Sequence, residues 1–235
     1  MFMMTRMALL ANSATVASSA FGTLLGTLSV SADTIPNPAI ATGSVVVAVG
    51  DLVCALLTQV SNLTVTAVTD NLGNTYTSEA DLGIDAGTVT SKLFYARVTV
   101  AGTITSVSGT TTASGNNYNF LCAAFAGPFT APPIDASPTA ISSDITSPYT
   151  CPATGVLAQA DELVIAFFGG QSSSIIPTAT APLAIAISSN TSAAGPIGVL
   201  AYQVVASTTS IVPEFVEATN DSTAVALGTA SFKKA

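Results

Sequence analysis

Histidine and tryptophan are absent from all 235 residues, and only five residues are basic: Arg6, Lys92, Arg97, Lys233 and Lys234. Histidine is the side chain whose ordinary pKa lies near neutrality, so the commonest general acid/base is missing. A Ser–His–Asp arrangement is excluded with it, and no G-x-S-x-G turn occurs. Five scattered cations do not make a basic groove, and a net charge of −8 repels nucleic acid and anionic membranes. No nucleic-acid or membrane partner is therefore expected. The chain reads as non-enzymatic, with no catalytic residue, no cofactor-binding residue and no metal ligand to nominate. No undiluted apolar run is long enough for a transmembrane helix. The three cysteines, Cys54, Cys122 and Cys151, lack C-x-x-C spacing. Without histidine, a zinc site would have to recruit carboxylates. They read as small buried hydrophobes; in an oxidising compartment a Cys122–Cys151 disulfide would leave Cys54 over.

What the chain does contain is apolar and neutral. Hydrophobic residues make up 49% and charged residues 8% of the sequence, against about 25% charged in an average soluble domain. Disordered chains have the opposite balance, so this one should fold. Its length suffices to bury about 70–75% of the surface the unfolded chain exposes.

From residue 43 onward short β-branched runs follow one another. Strands are expected at Val45–Val49, Leu52–Leu57, Leu63–Val68, Lys92–Val100, Thr103–Ser108, Tyr118–Ala126, Glu162–Phe168, Leu183–Ser188, Ile197–Val205 and Thr223–Phe232. Turn residues such as Asp70-Asn71, Gly73-Asn74, Gly115-Asn116-Asn117, Gly169-Gly170 and Asn220-Asp221 punctuate them. Only residues 7–20 admit a helical reading. The fold class is all-β: a two-sheet antiparallel β-sandwich or jelly roll, with residues 43–235 as one domain. Six of the twelve prolines fall between Pro128 and Pro152. Proline cannot donate to a sheet ladder, so residues 128–152 are expected to be a surface crossover.

The halves on either side of that crossover resemble each other. Asp51-Leu-Val-Cys-Ala-Leu56 reads like Glu162-Leu-Val-Ile-Ala-Phe167, an offset of 111 residues (51 to 162). Tyr95-Ala-Arg-Val98 reads like Tyr202-Gln-Val-Val205, an offset of 107 (95 to 202). Either a duplicated four- or five-strand unit or chance agreement between common strand formers accounts for this. Residues 1–42 form an amino-terminal arm or first strand. The alternative is a signal peptide: Arg6 precedes a weakly apolar stretch, Met7–Val30, and small residues precede Asp33. Asn12, Ser13, Thr15, Ser18, Ser19, Gly22, Thr23 and Gly26 dilute that stretch and favour the arm.

Few side chains invite a chemical reading. Asp70-Asn-Leu-Gly-Asn74, with Glu79, Asp81 and Asp85 nearby, offers hard oxygen ligands for calcium. The same composition is what a tight turn between strands requires, and a turn is the preferred reading. The carboxylate pairs Asp161/Glu162 and Glu214/Glu217 read as solvated strand ends, not as an opposed glycosidase pair. Phe94, Phe120, Phe125, Phe167 and Phe168 read as core, whereas Tyr76, Tyr118 and Tyr149 lie near turns where an exposed ring could stack on a sugar or seat in a partner. The Asn-x-Ser/Thr sequons at Asn62, Asn190 and Asn220 are what chance provides in a Ser/Thr-rich chain.

Five segments occur in a telling order: Gly50-Asp-Leu-Val-Cys-Ala-Leu56, Val68-Thr-Asp-Asn-Leu-Gly-Asn-Thr-Tyr-Thr77, Lys92-Leu-Phe-Tyr-Ala-Arg97, Phe125-Ala-Gly-Pro-Phe-Thr-Ala-Pro-Pro-Ile-Asp135 and Asp161-Glu-Leu-Val-Ile-Ala166. Together they resemble a β-sandwich (jelly-roll-like) module of bacteriophage virion proteins and bacterial secreted proteins, over residues 43–170 well and the remainder loosely. The module has no shared catalytic residues, and this chain lacks the tryptophans common in it, so the resemblance concerns the scaffold. It implies a virion structural protein, in the first place a capsid decoration (cement) protein on the capsid surface. Its expected partners are the major capsid protein and copies of itself in a homo-oligomer such as a trimer, with strand edges such as Val45–Val49 covered in the assembly. The alternative is a secreted surface or matrix protein assembling by strand addition, or a glycan-binding module.

Overall fold

A computed structural model describes residues 19–32, 38–60, 65–79, 83–85, 89–111, 117–135, 139–141, 146–171, 175–190, 195–219, 222 and 224–235. Among the described residues every regular element is a strand. A first unit comprises β1 (Leu24–Ala32), β2 (Ala39–Val47), β3 (Leu52–Val60), β4 (Val65–Asp70), β5 (Gly83–Asp85), β6 (Val89–Arg97), β7 (Gly102–Thr111) and β8 (Tyr118–Phe125). A link strand follows, β9 (Phe129–Ile134). The second unit comprises β10 (Thr139–Ile141), β11 (Tyr149–Thr150), β12 (Glu162–Gln171), β13 (Thr178–Ala179), β14 (Ala184–Asn190), β15 (Pro196–Val205), β16 (Glu214–Val216) and β17 (Ala224–Lys234).

All pairings are antiparallel. One eight-stranded sheet runs β4-β7-β2-β1-β8-β3-β6-β5; a six-stranded sheet runs β10-β17-β12-β15-β14, with β9 also on β17; a three-stranded sheet runs β11-β16-β13. The fold is thus an all-β, sandwich-like arrangement of antiparallel sheets. Each of the ten strands expected from the sequence overlaps one of these, β1 falls in the arm or first strand expected over residues 1–42, and the strands the sequence did not reveal are β5, β9, β10, β11, β13 and β16.

The two units repeat one plan. Strand β3 lies between β6 and β8, and β12 lies between β15 and β17. Cys54 opposes Tyr95 and Leu52 opposes Phe125 in the first unit; Ile165 opposes Tyr202 and Leu163 opposes Phe232 in the second. These are the registers that the 111- and 107-residue offsets require. The agreement extends outward: β10 on β17 matches β1 on β8, β14 on β15 matches β5 on β6, and β11-β16-β13 matches β2-β7-β4. Only the β1–β2 pair has no counterpart among the described residues. That pair joins the outer and inner layers of the first unit into one continuous sheet.

The stacking order explains why the inner strands read as unbroken apolar runs. Strands β3, β8 and β12 are buried along almost their whole length on both faces, so alternation disappears, as it does in any sheet covered on both sides. One face of β3, β6 and β8 packs beneath β2, β4 and β7, burying Val53, Leu57, Phe120, Val45, Val68 and Ile104. The matching face of β12, β15 and β17 packs beneath β11, β13 and β16, where Phe168 sits between Tyr149 and Phe215. The remaining faces meet each other across a central core of Leu52, Leu56, Leu121, Leu163, Ile165 and Phe167. There Tyr95 packs edge-on against Phe232 with ring centroids 5.3 Å apart, and Phe125 packs at a tilt against Tyr202 at 5.1 Å. Tyr95 is equivalent to Tyr202 and Phe125 to Phe232, so each contact is answered by its mirror partner, the signature of a two-fold interface. The two-sheet description thus covers the central contact, and a further layer covers each outer side.

Several expectations are corrected. Residues 128–152 are not merely a surface crossover: they carry β9, β10 and β11, and Phe129, Tyr149 and Cys151 are buried. Proline is tolerated there because β9 pairs only at an edge of β17. Val45–Val47 pairs with β7, whereas β1 pairs β2 only at Thr42 and Gly43, so the β1-facing side of Val45–Val47 lies beyond that pairing. No disulfide joins Cys122 to Cys151; the three thiols are free, buried, and lie in three separate apolar clusters. Burial pushes each thiol well up, Cys151 to about 12, so all stay protonated and unreactive at neutral pH. The 42/43 boundary drawn from the sequence passes through β2, and Leu24–Ala32 is an interior strand of the largest sheet. Arg6, residues 7–18 of the signal-like stretch, Asn62, Asn116, Asn220 and Asp221 lie outside the described residues.

Candidate functional site

The surface feature that stands out is an apolar end of the first unit. Val46 is 67% and Val49 61% exposed, and Val100 is also exposed. Val46 and Val49 line a cleft of about 440 Å³ together with Leu25, Val47, Ala48, Asp51, Ala101 and Pro128, and Val100 directly precedes the lining residue Ala101. Strands β1 and β2 pair at Leu28–Gly43 and Ser29–Thr42. The cleft lies beyond that pairing, where Leu25 and Val46 line it.

Three turns build this surface, and the sequence explains how each is held. In the β2–β3 turn, Gly50 takes a left-handed φ of 96°, which glycine adopts without steric cost. The Asp51 carboxylate accepts hydrogen bonds from the Ala48 N–H (2.7 Å) and the Gly127 N–H (2.7 Å), tying the β2–β3 turn to the β8–β9 link. Gly50 N–H donates to the Val98 carbonyl (2.9 Å) and Phe129 N–H to the Gly50 carbonyl (2.8 Å). Arg97 Nε donates to the Phe129 carbonyl at 2.8 Å, so this cation serves the scaffold.

The Asp70–Asn74 turn holds the third piece. Asp70 accepts from the N–H groups of Leu72 and Asn74 (both 3.0 Å), from Asn74 Nδ2 (2.9 Å) and from the Tyr76 hydroxyl (3.4 Å). Asn74 Oδ1 in turn accepts from the N–H groups of Thr99 (2.9 Å) and Val100 (3.0 Å). The oxygens that suggested calcium are thus engaged by protein donors, and their effect is to fix the β6–β7 turn that presents Val100. Glu79 accepts from the Tyr95 hydroxyl at 2.7 Å; Asp81 and the side chain of Asp85 lie outside the described residues. Among the described residues no group of three or more histidine, cysteine, aspartate or glutamate side chains is gathered for a metal.

The tyrosines are a correction. Tyr76, Tyr118 and Tyr149 are all buried, so none offers a ring for stacking on a sugar. The Tyr149 hydroxyl donates to Glu217 at 2.7 Å, and Ser222 donates to the same carboxylate through its N–H and its hydroxyl. Glu217 is therefore a buried, satisfied acceptor and not a solvated strand end. A second apolar cleft, about 390 Å³, lies on the second unit between Pro182, Ala184, Tyr202, Val204 and Ile211. No family model, no curated protein and no solved structure matches this chain.

The sequence reading missed the valine-rimmed cleft. Its signal is faint: Val46, Val49 and Val100 occur in stretches whose other valines are core, and exposure depends on where each strand ends. It also missed the facing of Asp135 and Glu162, which are 27 residues apart (135 to 162) and meet only through the pairing of β9 and β12 with β17.

Proposed function

We propose that this is a non-enzymatic structural protein that works by contact area: a decoration protein on a bacteriophage capsid, bound to the shell protein and to copies of itself through the valine-rimmed end of the first unit. The observation that supports it is that rim. Val46 and Val49, exposed on a mostly apolar cleft tied by Asp51, and Val100, exposed beside the lining residue Ala101 on a turn tied by Asn74, form a surface that gains by being covered. A rigid surface loses little entropy on docking, and repetition around a symmetric particle multiplies a modest single-site affinity. The acidic, weakly charged exterior suits a protein partner better than nucleic acid.

The test is to purify intact particles from the native source and measure copies of this chain per copy of the shell protein. A fixed ratio that survives extensive washing supports the reading; recovery only as free monomer refutes it. One feature favours a second reading, a secreted protein that assembles by strand addition. Strand β14 closes one end of the six-stranded sheet with seven uncharged residues, Ile185 exposed among them, which is the edge that strand addition uses. Self-assembly of the purified chain into polymers that Ile185→Lys abolishes would favour that alternative.

A further inference from the structure

The buried carboxylates Asp51, Asp70 and Glu217 each accept two or more hydrogen bonds. Glu162 differs. It is completely buried, its Oε1 accepts from the Gln159 N–H at 3.0 Å, and its Oε2 has no donor. The Asp135 side chain, at the end of β9, lies within hydrogen-bonding reach of that carboxyl. Two ionised carboxylates facing each other in a buried site would repel, and neither carries a donor. One proton between them resolves both problems.

We propose that Glu162 and Asp135 share a single proton, and that this carboxyl pair is a pH-dependent clasp holding the link strand β9 against the second unit. The neighbours assign the roles. Asp135 accepts from the Ala158 N–H at 2.9 Å and has the Lys233 ammonium 3.7 Å away, so it is the acceptor of the pair. Glu162 carries the proton on Oε2 and donates it to Asp135. From β17, Lys233 and Lys234 face this corner, and Lys234 is occupied by Asp161 at 3.3 Å. The buried Ser231 hydroxyl flanks Glu162 and can donate to it, which together with the Gln159 N–H favours the charged form and works against the upward push. Burial first, and the Asp135 charge second among the raising influences, push the Glu162 carboxyl above its ordinary range.

The sign follows from linkage. A carboxyl whose folded pKa lies above its unfolded value stabilises the folded state fully below the unfolded value, and that contribution is lost as pH rises through the folded one. Above it both carboxylates are ionised, and the end of β9 loses its hold on β12. The pairing of Ile134 with Phe232 and of Phe129 with Lys234, the Asp135 N–H bond to the Ser231 carbonyl and the Phe129 bonds to Gly50 and Arg97 remain to hold the link.

The test uses the full chain and two readouts. Carboxyl-carbon NMR reads the titration of Glu162 and Asp135, and amide hydrogen exchange reads protection in Phe129–Asp135 across the same pH range. One of the two carboxyls should titrate well above free glutamate. Protection in β9 should fall about tenfold for each unit of that elevation as pH rises through it. Glu162→Gln supplies a permanent N–H donor to Asp135 and should abolish the pH dependence of β9 protection. Asp135→Asn supplies the donor from the other side and should do the same if the first variant fails to fold. Ordinary titration of both carboxyls, or β9 protection that is equally pH-dependent in wild type and variants, overturns the proposal.

Discussion

The two units share a strand plan, yet they keep different parts of it at full length. Inner strands β3 and β12 have 9 and 10 residues, whereas the outer strands diverge: β2, β4 and β7 have 9, 6 and 10 residues, their counterparts β11, β13 and β16 only 2, 2 and 3. A strand buried on both faces has its register fixed twice, because a one-residue slip exposes one apolar set and overpacks the other. A strand covering one face is constrained once, and can shorten provided a few large side chains still close the core. In the second unit Tyr149 and Phe215, both fully buried, do that work against Phe168. The longer outer layer of the first unit supports the turns that carry the valine rim.

This comparison can be broken most directly at the centre. Phe125→Ala and Phe232→Ala occupy equivalent positions on the two inner layers, each against the other unit's tyrosine. Each should lower stability by about 3–5 kcal/mol in denaturant unfolding. Similar losses for the pair indicate that the units contribute equally to the shared core; a loss confined to one would show that a single unit carries the fold. A smaller effect is expected at Asn74→Ala, which has no counterpart in the second unit. Removing a buried acceptor strands the N–H groups of Thr99 and Val100 and should cost about 1–3 kcal/mol. Exchange should quicken at those two amides first. The smallest effect compares the equivalent turns directly. Gly50 and Asp161 both take left-handed backbone, with φ of 96° and 61°. Asp161→Gly should raise stability by about 1 kcal/mol, since the aspartate pays a steric cost that glycine avoids and its pair with Lys234 is exposed. A loss on this change would mean that the exposed pair matters more than the backbone.

The inner layers were legible in the sequence because double burial writes continuous apolar runs such as Leu52–Leu57 and Glu162–Phe168. The internal repeat was legible for the same reason: Tyr95 and Tyr202 keep one register against Cys54 and Ile165. The sequence admits β1 only as a first strand without bounds within residues 1–42, because Leu24–Ala32 falls in the weakly apolar stretch that also allows a signal reading; its place comes from pairing with β8 along almost its full length. The link strand β9 was hidden by its own prolines, which are compatible with an edge but read as a break. The tyrosines misled because nearness to a turn was taken for exposure, whereas Tyr76 and Tyr149 reach inward to buried carboxylates. The candidate surface was the least legible part, since exposure of a valine depends on which strand end it occupies and not on its neighbours in sequence.

The proposed function makes the surface around Val46, Val49 and Val100 the contact with a particle. The triple substitution Val46→Asp, Val49→Asp and Val100→Asp, added to particles stripped of the native chain, tests it in one co-sedimentation measurement. These side chains are exposed, so the variant should fold with unchanged unfolding behaviour while losing its occupancy of the particle, as wild type rebinds. Rebinding of the variant at wild-type occupancy would contradict the claim.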